Sequence, residues 1–261
     1  MYSSILKNEL CDLAKSYGLK HISTSYAHPS AVSKSAVIFN DVESNFLQSS
    51  WEEIVATAAY FDRTKKAHSH FPSASILEMQ SSNSSDALAM NIFCHPEIKN
   101  WIGVAKLLKL NSLDDVEFGN KARVLKGKLP DATEIDLYLN NSVFVECKLT
   151  EEGFTHKDKN EVEKYDAFAN VFHIEHLHQD ELGYHNYQLI RNILAANQYN
   201  FRFLLFCDMR RPDLAKSFFQ TVSCIKDVDL RMRCEIVYWQ DIARVVGLNL
   251  RNFLKEKYGI V

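Results

Sequence analysis

The sequence is poor in glycine and proline, with eight and five of them among 261 residues. Together with 46% hydrophobic and 24% charged residues, this scarcity excludes a collagen-like or low-complexity chain and indicates a globular fold with a sizeable core. No apolar run reaches the length of a membrane span, and the N-terminal segment lacks the apolar centre of a signal peptide. We therefore expect a cytoplasmic protein that does not associate with membranes.

Motifs of several common enzyme classes are also missing. The chain has no glycine-rich phosphate loop and no G-x-S-x-G, the sequences that mark P-loop nucleotide hydrolases and α/β-hydrolases. None of the six cysteines forms a C-x-x-C pair, and this predicts reduced, mostly buried thiols. The histidine-rich segment 173–185 lacks the spaced histidine pair of zinc peptidases, so we interpret its histidines as surface residues.

Charge is nearly balanced along the whole chain, with a formal net charge of −3, which argues against a polycation that coats nucleic acid. Its distribution is uneven, because residues 191–261 carry more basic than acidic side chains and residues 1–190 carry the reverse. We predict that Arg210 and Arg211, just after a buried strand, contact nucleic-acid phosphates. Charges scattered over solvated helices would give the same balance, and this alternative stays open at the level of sequence.

The order of predicted elements indicates an α/β fold. Helical periodicity dominates up to about residue 110, and from there short runs with β character alternate with helices. The runs 201–207 and 234–239 are too short and too apolar for anything but buried strands. We therefore predict a mixed central β-sheet flanked by helices, with a helical N-terminal extension.

One segment, EIDLYLNNSVFVECKLTE at residues 134–151, combines a strong strand pattern with unexpected charges. On both sides of its Asn-Asn-Ser turn the odd-numbered positions from Ile135 to Leu149 are apolar, whereas the even-numbered ones include Asp136, Glu146 and Lys148. Alternation with a period of two predicts two strands with one buried face. The charged residues need an explanation, because buried charge without a partner is costly.

The apolar parity also predicts the register of this hairpin. A three-residue loop at 140–142 pairs odd with odd positions and places Asp136 directly opposite Glu146, with Lys148 further along the same face. A two-residue Asn-Asn turn would put the two acids on opposite faces, and the parity argues against it. Like charges on directly opposite residues are destabilising, so we predict a divalent cation between the two carboxylates. Lys148 would then hold or deprotonate a water molecule that attacks phosphate.

At these residues the sequence resembles the PD-(D/E)XK nuclease superfamily, whose restriction-endonuclease-like fold carries an acid on one strand and Glu-x-Lys on the next. Asp136 followed by Glu146-Cys147-Lys148 matches that motif. The resemblance covers roughly residues 78–261 and looks like one bacterial branch of the superfamily. It implies a nuclease-like domain at 76–261, preceded by the helical extension at 1–75.

The resemblance also implies the chemistry. Asp136, Glu146 and the backbone carbonyl of Cys147 would bind Mg²⁺ or Mn²⁺, and Lys148 would orient or activate the attacking water. The implied activity is that of a metal-dependent endonuclease that hydrolyses DNA phosphodiester bonds, with DNA as partner and a homodimer left open. Two alternatives remain: a catalytically silent module of the same fold that binds nucleic acid or protein, and a nuclease for branched DNA or RNA.

A few positions depart from the family pattern or extend it. A literal Pro-Asp ends at Asp131, which therefore competes with Asp136 as metal ligand, although its place after proline predicts a turn residue. The family often adds a glutamate from an earlier element, and here Glu117 is preferred over Glu78. Gln188 matches a polar helix residue that contacts the site in some branches, while a partly exposed glutamine without a role is equally well supported.

Overall fold

The computed structural model of the chain describes residues 1–22, 26–27, 36–68, 76–127 and 129–261. The α-helices in these ranges are α1 (Tyr2–His21), α2 (Gln48–Ala56), α3 (Ala58–Arg63), α4 (Ser85–Phe93), α5 (Ile102–Leu107), α6 (Lys159–Val162), α7 (Phe168–Val171), α8 (Tyr187–Tyr199), α9 (Pro212–Val222), α10 (Val228–Met232), α11 (Trp239–Val245) and α12 (Leu248–Tyr258). Short 3₁₀ turns lie at Glu43–Asn45, Glu78–Gln80, Ile98–Asn100 and Ile174–His176. Within the described ranges, no helix has the length and apolar character needed to cross a lipid bilayer.

The strands are β1 (Tyr26–Ala27), β2 (Ile38–Phe39), β3 (Val116–Val124), β4 (Asp131–Leu139), β5 (Val143–Cys147), β6 (His156–Asp158), β7 (Gly183–His185), β8 (Arg202–Cys207) and β9 (Cys234–Tyr238). Five of them form one sheet in the order β3-β4-β5-β8-β9, in which β3, β4 and β5 are antiparallel neighbours and β8 is parallel to β5. A parallel neighbour requires a crossover, and the chain between β5 and β8 supplies it with α8, which packs on β3, β4, β5 and β8. The prediction of a mixed sheet flanked by helices is confirmed.

The chain divides into two compact units. One consists of Met1–Asp114, Asp208–Arg210 and Tyr238–Val261, and the other of Asp115–Cys207 and Arg211–Val237. The second unit holds the charged hairpin and most of the five-stranded sheet. The predicted domain boundary between residues 75 and 76 borders positions 69–75, which lie outside the described residues, so it stays a prediction.

The predicted hairpin register is confirmed where β4 and β5 pair. Leu139 lies opposite Val143 and Leu137 opposite Val145, with a three-residue loop between the strands. Asn140 and Asn141 in this loop have φ angles of 48° and 50°. Asparagine adopts this left-handed region more readily than most residues, which explains its use at both positions. The rival two-residue turn is therefore wrong.

The sequence of residues 160–172, NEVEKYDAFANVF, predicts one helix, and this prediction is wrong, because the segment is divided into α6 and α7. The intervening residues bind a segment that precedes β4: Asp166 N–H donates to Leu125 O at 3.2 Å, and the Asp166 carboxylate accepts from Gly127 N–H at 2.7 Å. A tertiary partner thus takes the backbone groups that a continuous helix would use. All six cysteines are buried thiols, as predicted.

Lys257 on α12 is a buried cationic side chain in the first unit. Its side chain is 1% exposed, and its ammonium lies 5.0–5.6 Å from the ring centroids of Tyr17, Phe39, Phe253 and Tyr258. It donates to the carbonyl oxygen of Asn45, which also accepts from the Asn91 side chain. Burial lowers the pKa of Lys257 well below its ordinary value, since removal from water disfavours the charged form.

Replacing this lysine by methionine is expected to raise the free energy of unfolding at pH 7 by roughly 1–3 kcal/mol, because a costly desolvation disappears. Asn45 keeps a donor in Asn91. In the wild type, the unfolded chain holds more protons at Lys257 than the folded chain, so stability should rise with pH from the lowered pKa up to about 10.4. Denaturant titrations across pH should show a flatter slope for Lys257→Met than for the exposed control Lys255→Met. A less stable Lys257→Met with an unchanged slope would contradict this account.

Candidate active site

Glu146 and Lys148 form a buried ion pair at the end of β5. Only 2% of Glu146 and 5% of Lys148 are exposed, and Lys148 Nζ lies 2.9 Å from Glu146 Oε1. The strand continues past Cys147 in its hydrogen bonding, since Lys148 N–H donates to Phe206 O on β8 at 2.8 Å. A central strand therefore fixes the backbone from which both charges project.

The second oxygen of Glu146 is held by α8. The Asn192 side-chain amide donates to Glu146 Oε2 at 2.7 Å, and its own oxygen accepts from the Thr133 hydroxyl at 3.2 Å. Thr133, Glu146 and Asn192 are all buried. Burial of a carboxylate is tolerable when its lone pairs have donors, and here each oxygen has one.

Lys148 is held by the same helix one turn earlier. Its ammonium donates to Gln188 Oε1 at 3.1 Å and lies 5.6 Å from the centre of the Phe154 ring. Gln188 and Asn192 are four residues apart, a spacing that puts both amides on one face of α8. The predicted contact of Gln188 with this cluster is present. Asn192 was missed, although its distance of four residues from Gln188 on an amphipathic helix could have found it.

Asp136 reaches the same segment through the backbone. Its Oδ2 accepts from Cys147 N–H at 2.8 Å, between the two residues of the ion pair. The paired register ends at Leu137 and Val145, one step before the predicted opposition of Asp136 and Glu146. At that step the Asp136 side chain bonds to β5 directly.

The two-face pattern of the hairpin does not extend over its whole length. Strict alternation would put Thr133 and Glu146 on opposite faces of the sheet, yet both bond to the amide of Asn192. The regular pairing of β4 with β5 ends before these positions. The alternation of faces that pairing enforces therefore does not determine where these side chains point. Parity therefore predicts the register near the turn and fails at the charged end.

Negative charge dominates around the Lys148 ammonium. Burial alone would lower the pKa of Lys148, but the carboxylates of Glu146, Glu151 and Asp136 outweigh it and raise that pKa above the ordinary value. Glu151 lies close because its carboxylate accepts from Leu149 N–H at 2.6 Å. Three carboxylates around one ammonium leave an excess of negative charge that a divalent cation can balance.

Two further acids have other partners. Glu117 pairs across the sheet with Tyr138 and accepts from the Asn120 side chain at 2.8 Å. Glu78, in the first unit, forms an ion pair with Lys66 at 3.2 Å. Within the described residues no hydrogen bond or ion pair joins Glu117 to the Glu146–Lys148 cluster, so its participation stays a prediction.

Asp131 is not a turn residue, which corrects the sequence interpretation. It is the first residue of β4 and pairs with Val124, and its carboxylate accepts a hydrogen bond from the Tyr165 hydroxyl. Tyr165 also contacts the Tyr187 hydroxyl at 2.8 Å. Asp131 therefore belongs to a hydrogen-bond network with two tyrosines, and Asp136 is the acid beside Cys147.

The prediction that Arg210 and Arg211 contact phosphates disagrees with their surroundings. Arg211 is fully buried, with bonds to the Leu149 and Glu151 carbonyls at 3.1 and 2.8 Å. It also forms an ion pair with Asp213 at 2.8 Å. The first unit holds the Arg210 side chain through the carboxylates of Asp208 and Glu9 and the Tyr258 carbonyl, at 2.6–2.8 Å. Both guanidinium groups are occupied by protein acceptors.

Comparison with known proteins gives one family. The sequence model of the family described as restriction endonuclease associating with ARP matches residues 20–259. No curated protein and no solved structure matches the chain. The matched range contains every residue of the cluster around Glu146 and Lys148.

Proposed function

Because the chain belongs to the family of restriction endonucleases associating with ARP, we propose that it is a metal-dependent endonuclease that hydrolyses DNA phosphodiester bonds, with Asp136, Glu146 and Lys148 at its active site. The family supplies the class of nuclease. The family also points to DNA as the substrate, and the residues and the cation are inferred from the chemistry of the cluster.

The buried Glu146–Lys148 pair is the observation that carries this proposal. A buried ion pair is weak as a stabilising device, since apolar residues of similar volume often stabilise a fold as well or better. Buried ionisable groups with shifted pKa values cluster at functional sites, and the pKa of Lys148 is raised. The Asp136 carboxylate on the intervening amide adds a second acid to the pair.

The donor set fits a hard divalent cation. Asp136 and Glu146 offer carboxylate oxygens and Cys147 a backbone carbonyl, and Mg²⁺ prefers oxygen ligands of this kind with water in the remaining positions. When bound, Mg²⁺ or Mn²⁺ would polarise the phosphate and lower the pKa of a water molecule. The excess of carboxylates over ammonium around Lys148 supplies the charge that attracts it.

The protein's own residues have separate tasks in this proposal. Asn192 orients the Glu146 carboxylate, and Gln188 holds the Lys148 ammonium in place. Since its pKa is raised, Lys148 is protonated and acts as a hydrogen-bond donor that positions the attacking water or offsets phosphate charge. The proton of that water passes to solvent or to phosphate and not to Lys148 in this charge state.

Cleavage assays test the proposal. Supercoiled plasmid, linear and branched DNA, and RNA are incubated with wild type in Mg²⁺, Mn²⁺ or EDTA, beside Glu146→Gln. We expect DNA cleavage by wild type with Mg²⁺ or Mn²⁺, and none with EDTA or in Glu146→Gln, which loses the carboxylate charge at nearly constant shape.

Other outcomes select other functions. Cleavage only of branched DNA or of RNA would change the substrate and keep the site. Cleavage that survives EDTA and Glu146→Gln would place the active centre elsewhere. Absence of cleavage on every substrate would favour the catalytically silent binding module.

A further inference from the structure

A cluster of side chains of the types that can bind a metal lies at the small sheet formed by β6 and β7. His156 and His185 are directly opposite each other in this antiparallel pair. Asp180 lies between them: His156 Nε2 is 3.2 Å from Asp180 Oδ1, and His185 Nε2 is 3.0 Å from Asp180 Oδ2. One ligand atom from each of the three residues falls within 4.8 Å of the others.

The backbone holds these three side chains in position. Asp180 Oδ1 accepts from the N–H groups of Leu182 and Gly183 at 2.8 and 2.9 Å, so a tight turn anchors the carboxylate. A Cβ atom at Gly183 would lie 2.1 Å from the Lys157 carbonyl, and only glycine allows the strands to approach this closely. The His178 ring stacks on that of His185 with centroids 4.2 Å apart, which fixes the plane of the imidazole.

Two of the three ligand–ligand distances fit a tetrahedral metal site. Ligands at about 2.0–2.1 Å from zinc lie roughly 3.3 Å from each other. The two measured nitrogen–oxygen distances, 3.2 and 3.0 Å, are close to this edge length. Two imidazoles and one carboxylate suit zinc and its neighbours in the transition series, whereas Mg²⁺ prefers oxygen alone.

Space for an exchangeable fourth ligand is also present. A cavity of about 320 Å³ is lined by His156, His178 and His185, together with Phe154 and Asn186. The side chains of the three ligands are between 36% and 45% exposed, so a cation can reach them from solvent. Sequence reasoning missed this group because His156 lies outside the histidine-rich segment 173–185.

We propose that His156, Asp180 and His185 bind one Zn²⁺ or a similar transition-metal ion, at a site distinct from the carboxylates of the candidate active centre. This inference does not rest on the proposed nuclease function. Its consequence is nevertheless local to that centre, because the carbonyls of Phe154 and Thr155 accept from the first N–H groups of α8, at Gln188 and Tyr187. His156 follows Phe154 and Thr155 directly, and His185 lies just before α8. A metal bound to both histidines would therefore hold the start of α8, and with it Gln188, in place.

Zinc titration of the full-length protein tests the proposal. Metal-free protein is titrated with Zn²⁺ in excess Mg²⁺, by calorimetry and by equilibrium dialysis, and the visible absorption of bound Co²⁺ reports nitrogen coordination. We expect one Zn²⁺ per chain and a higher unfolding temperature with zinc. Loss of a second-shell partner weakens metal binding 10–100-fold, so His156→Ala or His185→Ala should weaken it by at least about 100-fold.

Three controls make the result decisive. His176→Ala removes an exposed histidine of the same segment and should bind Zn²⁺ as wild type does. Asp136→Ala should also bind it unchanged, which separates this site from the candidate active centre. If His156→Ala does not fold, His156→Gln keeps a hydrogen-bonding side chain and should still lose the ion. A wild type that binds no Zn²⁺, or histidine variants that bind it equally well, would reduce the group to His–Asp hydrogen bonds and overturn the proposal.

Discussion

Lys148→Ala is expected to abolish cleavage of plasmid DNA while the protein still binds its divalent cation. Removal of a group that positions or activates a nucleophile typically costs 10²–10⁴-fold in rate, so we expect a loss of at least about 100-fold. Both carboxylates remain, and Glu146 loses the ammonium 2.9 Å away. Cation affinity should therefore be unchanged or higher, as measured by metal titration beside the plasmid assay.

Asp136→Ala should lose cleavage for a different reason, because it deletes a metal ligand and thus weakens cation binding. Asp136→Asn is the matched variant, since its amide oxygen can still accept from Cys147 N–H while the charge is gone. Both should bind Mg²⁺ more weakly than wild type, whereas Lys148→Ala should bind it at least as tightly and still not cleave. Ca²⁺ should support DNA binding by wild type without hydrolysis, since it polarises bound water less.

The exposed Lys121 on β3 offers a control, and Lys121→Ala should cleave as wild type does. Equal metal affinity in Asp136→Ala and Lys148→Ala would contradict the separate roles. Cleavage that survives both substitutions would remove these residues from the active centre.

Arg211→Ala is expected to lower the free energy of unfolding by about 2–4 kcal/mol, because two backbone carbonyls lose a charged donor. The lost guanidinium leaves the Leu149 and Glu151 carbonyls without their donor and Asp213 without its counter-charge. Arg211→Lys keeps the charge but lacks the planar guanidinium, so its free energy of unfolding should fall between those of wild type and Arg211→Ala. Urea unfolding of the three proteins measures this series.

The same variants decide between the two interpretations of Arg211. The control Arg244→Ala removes an exposed arginine paired with Asp241 and should cost less than about 1 kcal/mol. A stable Arg211→Ala that binds DNA weakly at every salt concentration would restore the sequence-based prediction of a phosphate contact. A destabilised protein whose remaining folded fraction binds DNA normally would confirm a structural role.

The sequence predicts the strand pattern and the hairpin well, because both depend on local alternation. The apolar positions from Ile135 to Leu149 specify one buried face, and the two asparagines specify a left-handed turn. The same local pattern cannot report where pairing ends. The charged end of the hairpin is arranged by Asn192 and by the Cys147 amide, and neither contact has a periodic signal in the sequence.

Residues that act through distant partners were the least predictable. The arginines at 210 and 211 follow a strand and carry charge, which in a linear reading suggests a surface that binds phosphate. Their acceptors, among them Glu9 and the Glu151 carbonyl, are remote in sequence. His156 was missed for the same reason. It lies opposite His185 only because β6 pairs with β7, and these strands are far apart in the sequence.

The hydrogen bonds around Glu146 make folding of the cluster independent of a bound cation. Both of its oxygens already have protein donors, from Lys148 and Asn192, so the carboxylate is satisfied before any cation arrives. The chain should therefore fold to the same state in EDTA, with Mg²⁺ adding reactivity and little rigidity. Under the proposed function, such a protein would bind DNA in an inert form in EDTA, and added divalent ions would then start the reaction.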